Sequence, residues 1–339
     1  MKRCIELALK GAGSVAPNPM VGAVLVYKDR IIGEGYHQEY GGHHAEVNCI
    51  NSVSADERNF VKAASLYVSL EPCAHFGKTP PCAHLIVKNQ IKHVVIGSTD
   101  PFALVNGNGI QILEDADVKV EVGILESECK QINTSFFTFQ EKKRPYITLK
   151  WAQTANAKIA SDANERLLIS NTFSNTLVHR WRSEVDAILI GTNTALKDNP
   201  SLNNRLWTGN SPIRLVIDLT LKLPHNLNIF SDGHSTVIFN NKKSETVGSV
   251  HYQQIPSNQS VIDQIIAYCY AMNYNALLVE GGAQVLQSFI DASLWDEARV
   301  IANRSKFIHE GLDAPILKNC TVLSNKSLLD DEIVIYLKK

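Results

Sequence analysis

The sequence predicts an α/β protein of two domains, and three observations carry that reading. Strand-like runs alternate with helix-like runs through both halves. The 339 residues are about twice a typical domain of roughly 150. A charged stretch, Gln140-Glu141-Lys142-Lys143-Arg144, ends at Pro145 and interrupts the alternation. The predicted domains are therefore 1–144 and 145–339.

Residues 1–10 read as a short amphipathic helix, because Glu6 and Lys10 break what would otherwise become a signal-peptide core. Residues 21–27 and 30–36 flank the polar pair Lys28-Asp29 and read as a hairpin. Residues 44–50 follow as a helix with Glu46 in its first turn, where a carboxylate suits the macrodipole. A strand at 66–70 stops at Glu71-Pro72, a helix at 82–88 is opened by Pro80-Pro81, and 93–97 is another strand. The second half restarts with a strand at 146–150 and continues with strands at 187–190, 214–217, 236–239, 276–279 and 298–301. Helices are expected at 172–182 and 261–272.

Composition narrows the function. Hydrophobic residues make up 45% and charged residues 20%, enough apolar surface for a real core and too much for a disordered chain. Lys+Arg is 33 against Asp+Glu 34, which argues against a nucleic-acid or membrane coat and leaves room for a small basic pocket. No run of about 18 apolar residues is present, so no membrane span is expected, and the cytoplasm is the default location. Seven cysteines do not suit a disulfide framework; in a reducing compartment, clustered cysteines point to metal or catalysis.

The cluster is His44-Ala45-Glu46, then Pro72-Cys73, then Pro81-Cys82. One imidazole and two thiolates are three ligands, the number that leaves a fourth tetrahedral position of zinc open for water. Zinc lowers the pKa of that water to about 7. Glu46 need not bind metal and is placed to carry a proton to a leaving amine. His-x-Glu with Pro-Cys-x-x-Cys is the zinc deaminase pattern. Here eight residues separate the thiols, and the insert carries Lys78, a candidate phosphate anchor. His43, His75 and His84 are the competing ligands; Cys4, Cys49, Cys129, Cys269 and Cys320 have no partner pattern and read as structural.

These motifs, with Pro17-Asn18-Pro19-Met20-Val21-Gly22 and the full run Glu71 to Cys82, closely resemble the bifunctional riboflavin-biosynthesis deaminase/reductase family. The resemblance implies a cytidine-deaminase-like α/β/α first domain with zinc on His44, Cys73 and Cys82, and Glu46 as proton shuttle. It implies substrate contacts from Asn18, Lys78 and Asp100, with Lys78 near a phosphate and Gly107 and Gly109 in a segment over the pyrimidine. Where the family pattern has Asn after Asp-Pro, this chain has Phe102.

Read by itself, the second half gives Lys150, Arg182 and Arg205 near predicted element ends, and Glu280-Gly281-Gly282 after a strand. Glycines there let a backbone approach phosphate at the next helix, but no Gly-x-Gly-x-x-Gly fingerprint accompanies them. The stretch from Lys150 to Ala160, the blocks Gly191 to Ala195 and Asp198 to Arg205, and Val279 to Gly282 resemble the family's reductase domain, which is similar in fold to dihydrofolate reductase. That resemblance implies NADPH along Thr194, Asp198, Leu202 and Gly282, and a sugar phosphate held by Arg182, Arg205 and Glu280. Asn156 and Leu168 depart from the family pattern, at an expected carboxylate and an expected aromatic.

The function expected is zinc-dependent deamination of a pyrimidine ribosyl phosphate, followed by NADPH-dependent reduction of its ribosyl group, in a homo-oligomer. One rival is a zinc deaminase of free bases or nucleosides with a non-reducing second domain. The other is a zinc-stabilised binding module, RNA being one partner it could take.

Overall fold

Residues 1–74, 81–102, 105–161 and 168–339 are described by a computed structural model, and they divide into two units, Met1–Lys143 and Arg144–Lys339. The first unit contains, in chain order, α1 (Lys2–Ala8), β1 (Gly22–Tyr27), β2 (Arg30–Tyr36), α2 (Ala45–Asn51), β3 (Ser65–Leu70), α3 (Cys82–Lys88), β4 (His93–Ser98), α4 (Asn108–Asp115), β5 (Lys119–Val122), α5 (Glu126–Ile132) and α6 (Thr134–Lys142). Its sheet has the order β2-β1-β3-β4-β5. β1 is antiparallel to β2 and β3, while β3, β4 and β5 are parallel.

Alternation along β1 explains why both faces are covered. Ala23 and Leu25 point into a core with Leu66, Val68, Ile96, Cys49, Ile86 and Leu113. Val24 points the other way, onto Cys4 and Leu7 of α1. Each such fully buried Leu or Ile contributes about 2 kcal/mol. Because β3 and β4 are parallel and Leu70 lies opposite Ser98, the segments beginning at Glu71 and Thr99 leave the sheet at the same edge.

The second unit contains β6 (Tyr146–Gln153), β7 (Lys158–Ser161), α7 (Thr172–Ser183), β8 (Ala187–Gly191), α8 (Thr192–Asp198), β9 (Ile213–Ile217), α9 (Asn228–Ser231), β10 (Thr236–Asn240), β11 (Glu245–Val247), β12 (Val250–Gln254), α10 (Val261–Ala271), β13 (Ala276–Val279), α11 (Ala283–Asp291), β14 (Glu297–Asn303), β15 (Gly311–Asp313), β16 (Cys320–Leu328) and β17 (Asp331–Lys338). Its main sheet has the order β11-β12-β10-β9-β8-β13-β6-β14-β17-β16, and β15 pairs separately with β7. The strands from β12 through β14 in that order run parallel. Every residue of β8 and β13 is buried, as strands covered on both faces require. Leu149, Leu189, Leu277, Phe289 and Trp295 fill one face, and Ile188, Ile190, Val216 and Leu278 the other. The turns after β8 and β13 therefore open at one carboxyl edge of a parallel sheet, where ligands of such folds bind.

Candidate metal centre and reductase cluster

Three element ends converge in the first unit. His44 is the extended residue capping α2, at φ −70° and ψ 165°. Cys73 follows β3, and Cys82 opens α3 behind Pro81. His44 Nδ1 lies 3.5 Å from Cys73 Sγ and 3.4 Å from Cys82 Sγ, and all three donor atoms fall within 4.8 Å of one another. Zinc held at about 2.1 Å by nitrogen and about 2.3 Å by sulfur, at tetrahedral angles, sets N and S about 3.5 Å apart. The donor set and its spacing fit that ion. Among the described residues this is the one such group of His, Cys, Asp and Glu side chains. His43 and His84 lie outside it and are exposed, while His75 and Lys78 lie outside the described residues.

The cysteine pair shares charge unevenly. Cys82 donates its S–H, and its backbone N–H at 3.3 Å, toward Cys73 Sγ, so Cys73 is pushed down to about 4, with His44 adding to the effect. Cys82, beside that sulfur and buried, is pushed well up. Glu46, in the first turn of α2, is 3% exposed, and burial with the nearby Cys73 raises its carboxyl to about 7. A carboxyl near 7 can both accept and release a proton at neutral pH.

Asn18 reaches the centre through a histidine. His37 Nδ1 faces the His43 carbonyl at 3.0 Å, so His37 Nε2 is the acceptor for Asn18 Nδ2 at 3.1 Å. The His37 ring packs edge-on against His44, with centroids 5.3 Å apart. Asp100 is 7% exposed, and burial lifts its carboxyl to about 7. It accepts the Phe102 N–H at 2.8 Å. Phe102 itself packs against Leu70, Phe136 and Phe137, so the departure at this position fills core space.

In the second unit the predicted anion-binding residues are only partly free to bind anions. Glu280 receives Arg182 Nε at 3.0 Å and Nη2 at 2.8 Å, with Lys150 Nζ at 3.8 Å. Burial opposes ionisation of Glu280, yet Arg182 and Lys150 hold it down at about 2; burial lowers Lys150. Lys150 is a partner that strand register could have revealed. Leu149 lies opposite Val279, so Lys150, next along β6, comes beside Glu280, the first residue past β13. His179, three residues before Arg182, was also unforeseen. It is fully buried, its Nδ1 accepts the Arg205 backbone N–H at 3.1 Å, and burial with Arg182 and Arg205 pushes it down to about 4. The Arg205 side chain is exposed and donates to Asn203 at 2.9 Å.

The residues expected along the cofactor separate. Thr194 Oγ1 accepts the Gly282 N–H at 2.8 Å, which ties the start of α8 to the cap of α11. A Cβ on Gly282 would lie 3.2 Å from Thr194 Oγ1, and one on Gly281 would lie 3.3 Å from Gly191 N. The two turns thus form a close backbone cradle at the parallel-sheet edge, which fits a dinucleotide phosphate. Asp198 ends α8. Leu202 instead buries its side chain among Ile188, Ala195 and Val216, with φ +56°. Asn156 accepts the Thr154 hydroxyl and pairs with both backbone groups of Ile308, a contact an aspartate could not complete. Leu168 is 68% exposed.

Comparisons with known proteins decide the family. Residues 1–98 match the cytidine and deoxycytidylate deaminase zinc-binding region, and residues 145–303 match the RibD C-terminal domain. The riboflavin biosynthesis protein RibD of Aquifex aeolicus is 37% identical over 317 residues, 92% of this chain and 88% of the relative. The chain belongs to the RibD family. RibD of Bacillus amyloliquefaciens is 37% identical over 88% of this chain and 81% of its own. A solved Thermotoga maritima structure, a diaminohydroxyphosphoribosylaminopyrimidine deaminase/5-amino-6-(5-phosphoribosylamino)uracil reductase, is 34% identical with a TM-score of 0.90, covering 100% of this chain and 97% of that one. Acinetobacter baumannii RibD is 28% identical with a TM-score of 0.89.

As a RibD protein, the chain is a bifunctional enzyme of riboflavin biosynthesis, with a zinc-binding deaminase domain followed by a reductase domain. Both rivals, the deaminase with a non-reducing partner domain and the zinc-stabilised binding module, give way to that assignment. No helix among the described residues is long and apolar enough to cross a membrane.

Proposed function

We propose that the first domain hydrolyses the 2-amino group of 2,5-diamino-6-ribosylamino-4(3H)-pyrimidinone 5′-phosphate, and that the second reduces the ribosyl group of the product to ribityl with NADPH. The observation that carries the proposal is the tetrahedral spacing of His44, Cys73 and Cys82 beside a buried Glu46. The Thermotoga maritima relative, a diaminohydroxyphosphoribosylaminopyrimidine deaminase, supports this choice of substrate.

His44, Cys73 and Cys82 would hold zinc, which when bound acts as a Lewis acid and activates water. Glu46 takes a proton from the attacking water and returns it to the departing amine. Asn18 and Asp100 orient the pyrimidine, and Lys78 meets the phosphate. In the second domain Thr194, Asp198, Gly282 and the backbone of Leu202 would lie along NADPH, which supplies hydride. Arg182, Arg205 and Glu280 hold the sugar phosphate. Since Glu280 already neutralises Arg182, the exposed Arg205 is the cation with the freer approach to phosphate. We further propose a homo-oligomer working in the cytoplasm.

The test follows ammonia release and NADPH consumption separately with that substrate, with and without a chelator. Both signals are expected, and the chelator should stop ammonia release. Ammonia without NADPH consumption would remove the reductase half of the proposal.

A further inference from the structure

Glu71 belongs to the motif that introduces Cys73, yet the chemistry above gives it no task. Its side chain is nearly buried, at 4% exposure. Oε2 accepts the N–H groups of Gly107 at 3.1 Å and Asp100 at 3.3 Å. Oε1 accepts those of Gly109 at 3.0 Å and Ile110 at 3.4 Å. One carboxylate thus satisfies four backbone donors, two of them in the first turn of α4. The fit is close. Gly107 sits at φ +86°, and a Cβ on Gly109 would lie 2.0 Å from the Pro72 carbonyl. Residue 71 is also tied to the neighbouring strand, through its own N–H donating to Ser98 O at 2.9 Å.

We infer that Glu71 is a positioning residue for deamination: it fixes Asp100 and the start of α4 against the segment that carries Cys73, and so sets where Asp100 meets the pyrimidine. The inference rests on the reading of Asp100 as a substrate contact. A carboxylate is required because an amide has a single acceptor oxygen. Whichever oxygen is replaced, two N–H groups, one of them buried, then face an NH₂.

The experiment uses the full-length enzyme loaded with zinc and the diamino-pyrimidinone phosphate as substrate. Glu71→Gln should keep its zinc and its NADPH-consuming activity on separately supplied deaminated substrate, and raise the deaminase KM roughly tenfold with a much smaller change in kcat. Asp100→Asn should also raise KM. The double variant should raise it no further than the worse single change, because Glu71 acts through Asp100. An unchanged KM in Glu71→Gln, with a raised KM in Asp100→Asn, overturns the inference alone. An unchanged KM in Asp100→Asn overturns the reading of Asp100 and the inference with it. Loss of zinc from Glu71→Gln, or an additive double variant, reduces Glu71 to a support of the metal-ligand segment and also overturns it. If Glu71→Gln does not fold, Gly107→Ala decides. A methyl there meets none of the described residues within 4 Å and strains the left-handed turn that presents the N–H to Glu71, so KM should rise a few-fold. An unchanged KM in that variant counts against the inference.

Discussion

The metal centre and the Arg182–Glu280 cluster are both built at the ends of sheet strands, but they are assembled differently. The first draws on three short motifs, each at an element end: the cap of α2, the exit of β3 and the opening of α3. The second draws Lys150 from within β6, Arg182 and His179 from α7, Glu280 from the exit of β13 and Arg205 from a loop. Soft metal ligands at fixed spacing are rare in sequence. Lysine, arginine and glutamate are common, and their meaning comes from the partner each one finds. Chemistry is therefore concentrated in the first site and distributed in the second, and substitutions should affect the two in different ways.

The largest expected effect is at the metal centre. Glu46→Gln should lower ammonia release by about 10³-fold, within the range of a lost general acid–base group. Zinc content and reduction of the deaminated substrate should stay as they were. A variant that still deaminates would remove Glu46 from the chemistry.

Next comes Arg182→Met, which strips Glu280 of its bidentate partner and leaves a buried carboxylate with only Lys150 at 3.8 Å. Breaking a buried pair this way costs about 3–5 kcal/mol. NADPH consumption should collapse and the reductase domain should melt earlier, while ammonia release survives. Equal loss of both activities would break the separation between the two regions.

A pH effect follows from His179, held near 4 against an ordinary 6.5. Because the folded value is depressed, the unfolded chain binds the extra proton first. Stability from this group is complete above pH 6.5 and declines as pH falls toward 4, by at most about 3 kcal/mol. Glu280 acts by the same sign in a lower window, from its ordinary 4.5 down to about 2. Denaturant unfolding of the reductase domain at pH 7 and pH 4.5, followed by its tryptophans, should show the upper-window decline, and His179→Asn should flatten it while still accepting the Arg205 N–H; Glu46 and Asp100, raised to about 7 in the other domain, act with the opposite sign. An equally steep decline in that variant would assign the effect to another group.

The smallest change is Thr194→Val. It leaves the Gly282 N–H without its acceptor, at about 1 kcal/mol. A few-fold rise in the KM for NADPH is expected, with deamination untouched. No change in that KM would place the cofactor elsewhere on the sheet edge.

The sequence by itself determined the alternation of strands and helices, the zinc ligand set with its Glu46, and the family resemblance. Each depends on local pattern, on residue types at short spacing such as His-Ala-Glu or Pro-Cys. It was silent on the hairpin of β16 and β17: β16 is mostly solvent-facing and gives little hydrophobic signal, and the apolar run of β17 finds its place only by pairing with β14. It marked Arg182 and Glu280 as phosphate holders without showing that they hold each other. It also gave no role to Glu71, His179 or Lys150. Tertiary structure decided those, because their partners stand tens of residues or more away: 36 between Glu71 and Gly107, 26 between His179 and Arg205, 98 between Arg182 and Glu280. A buried charge needs a partner whatever its place in the chain, and only strand register and helix packing determine which group is near enough to serve.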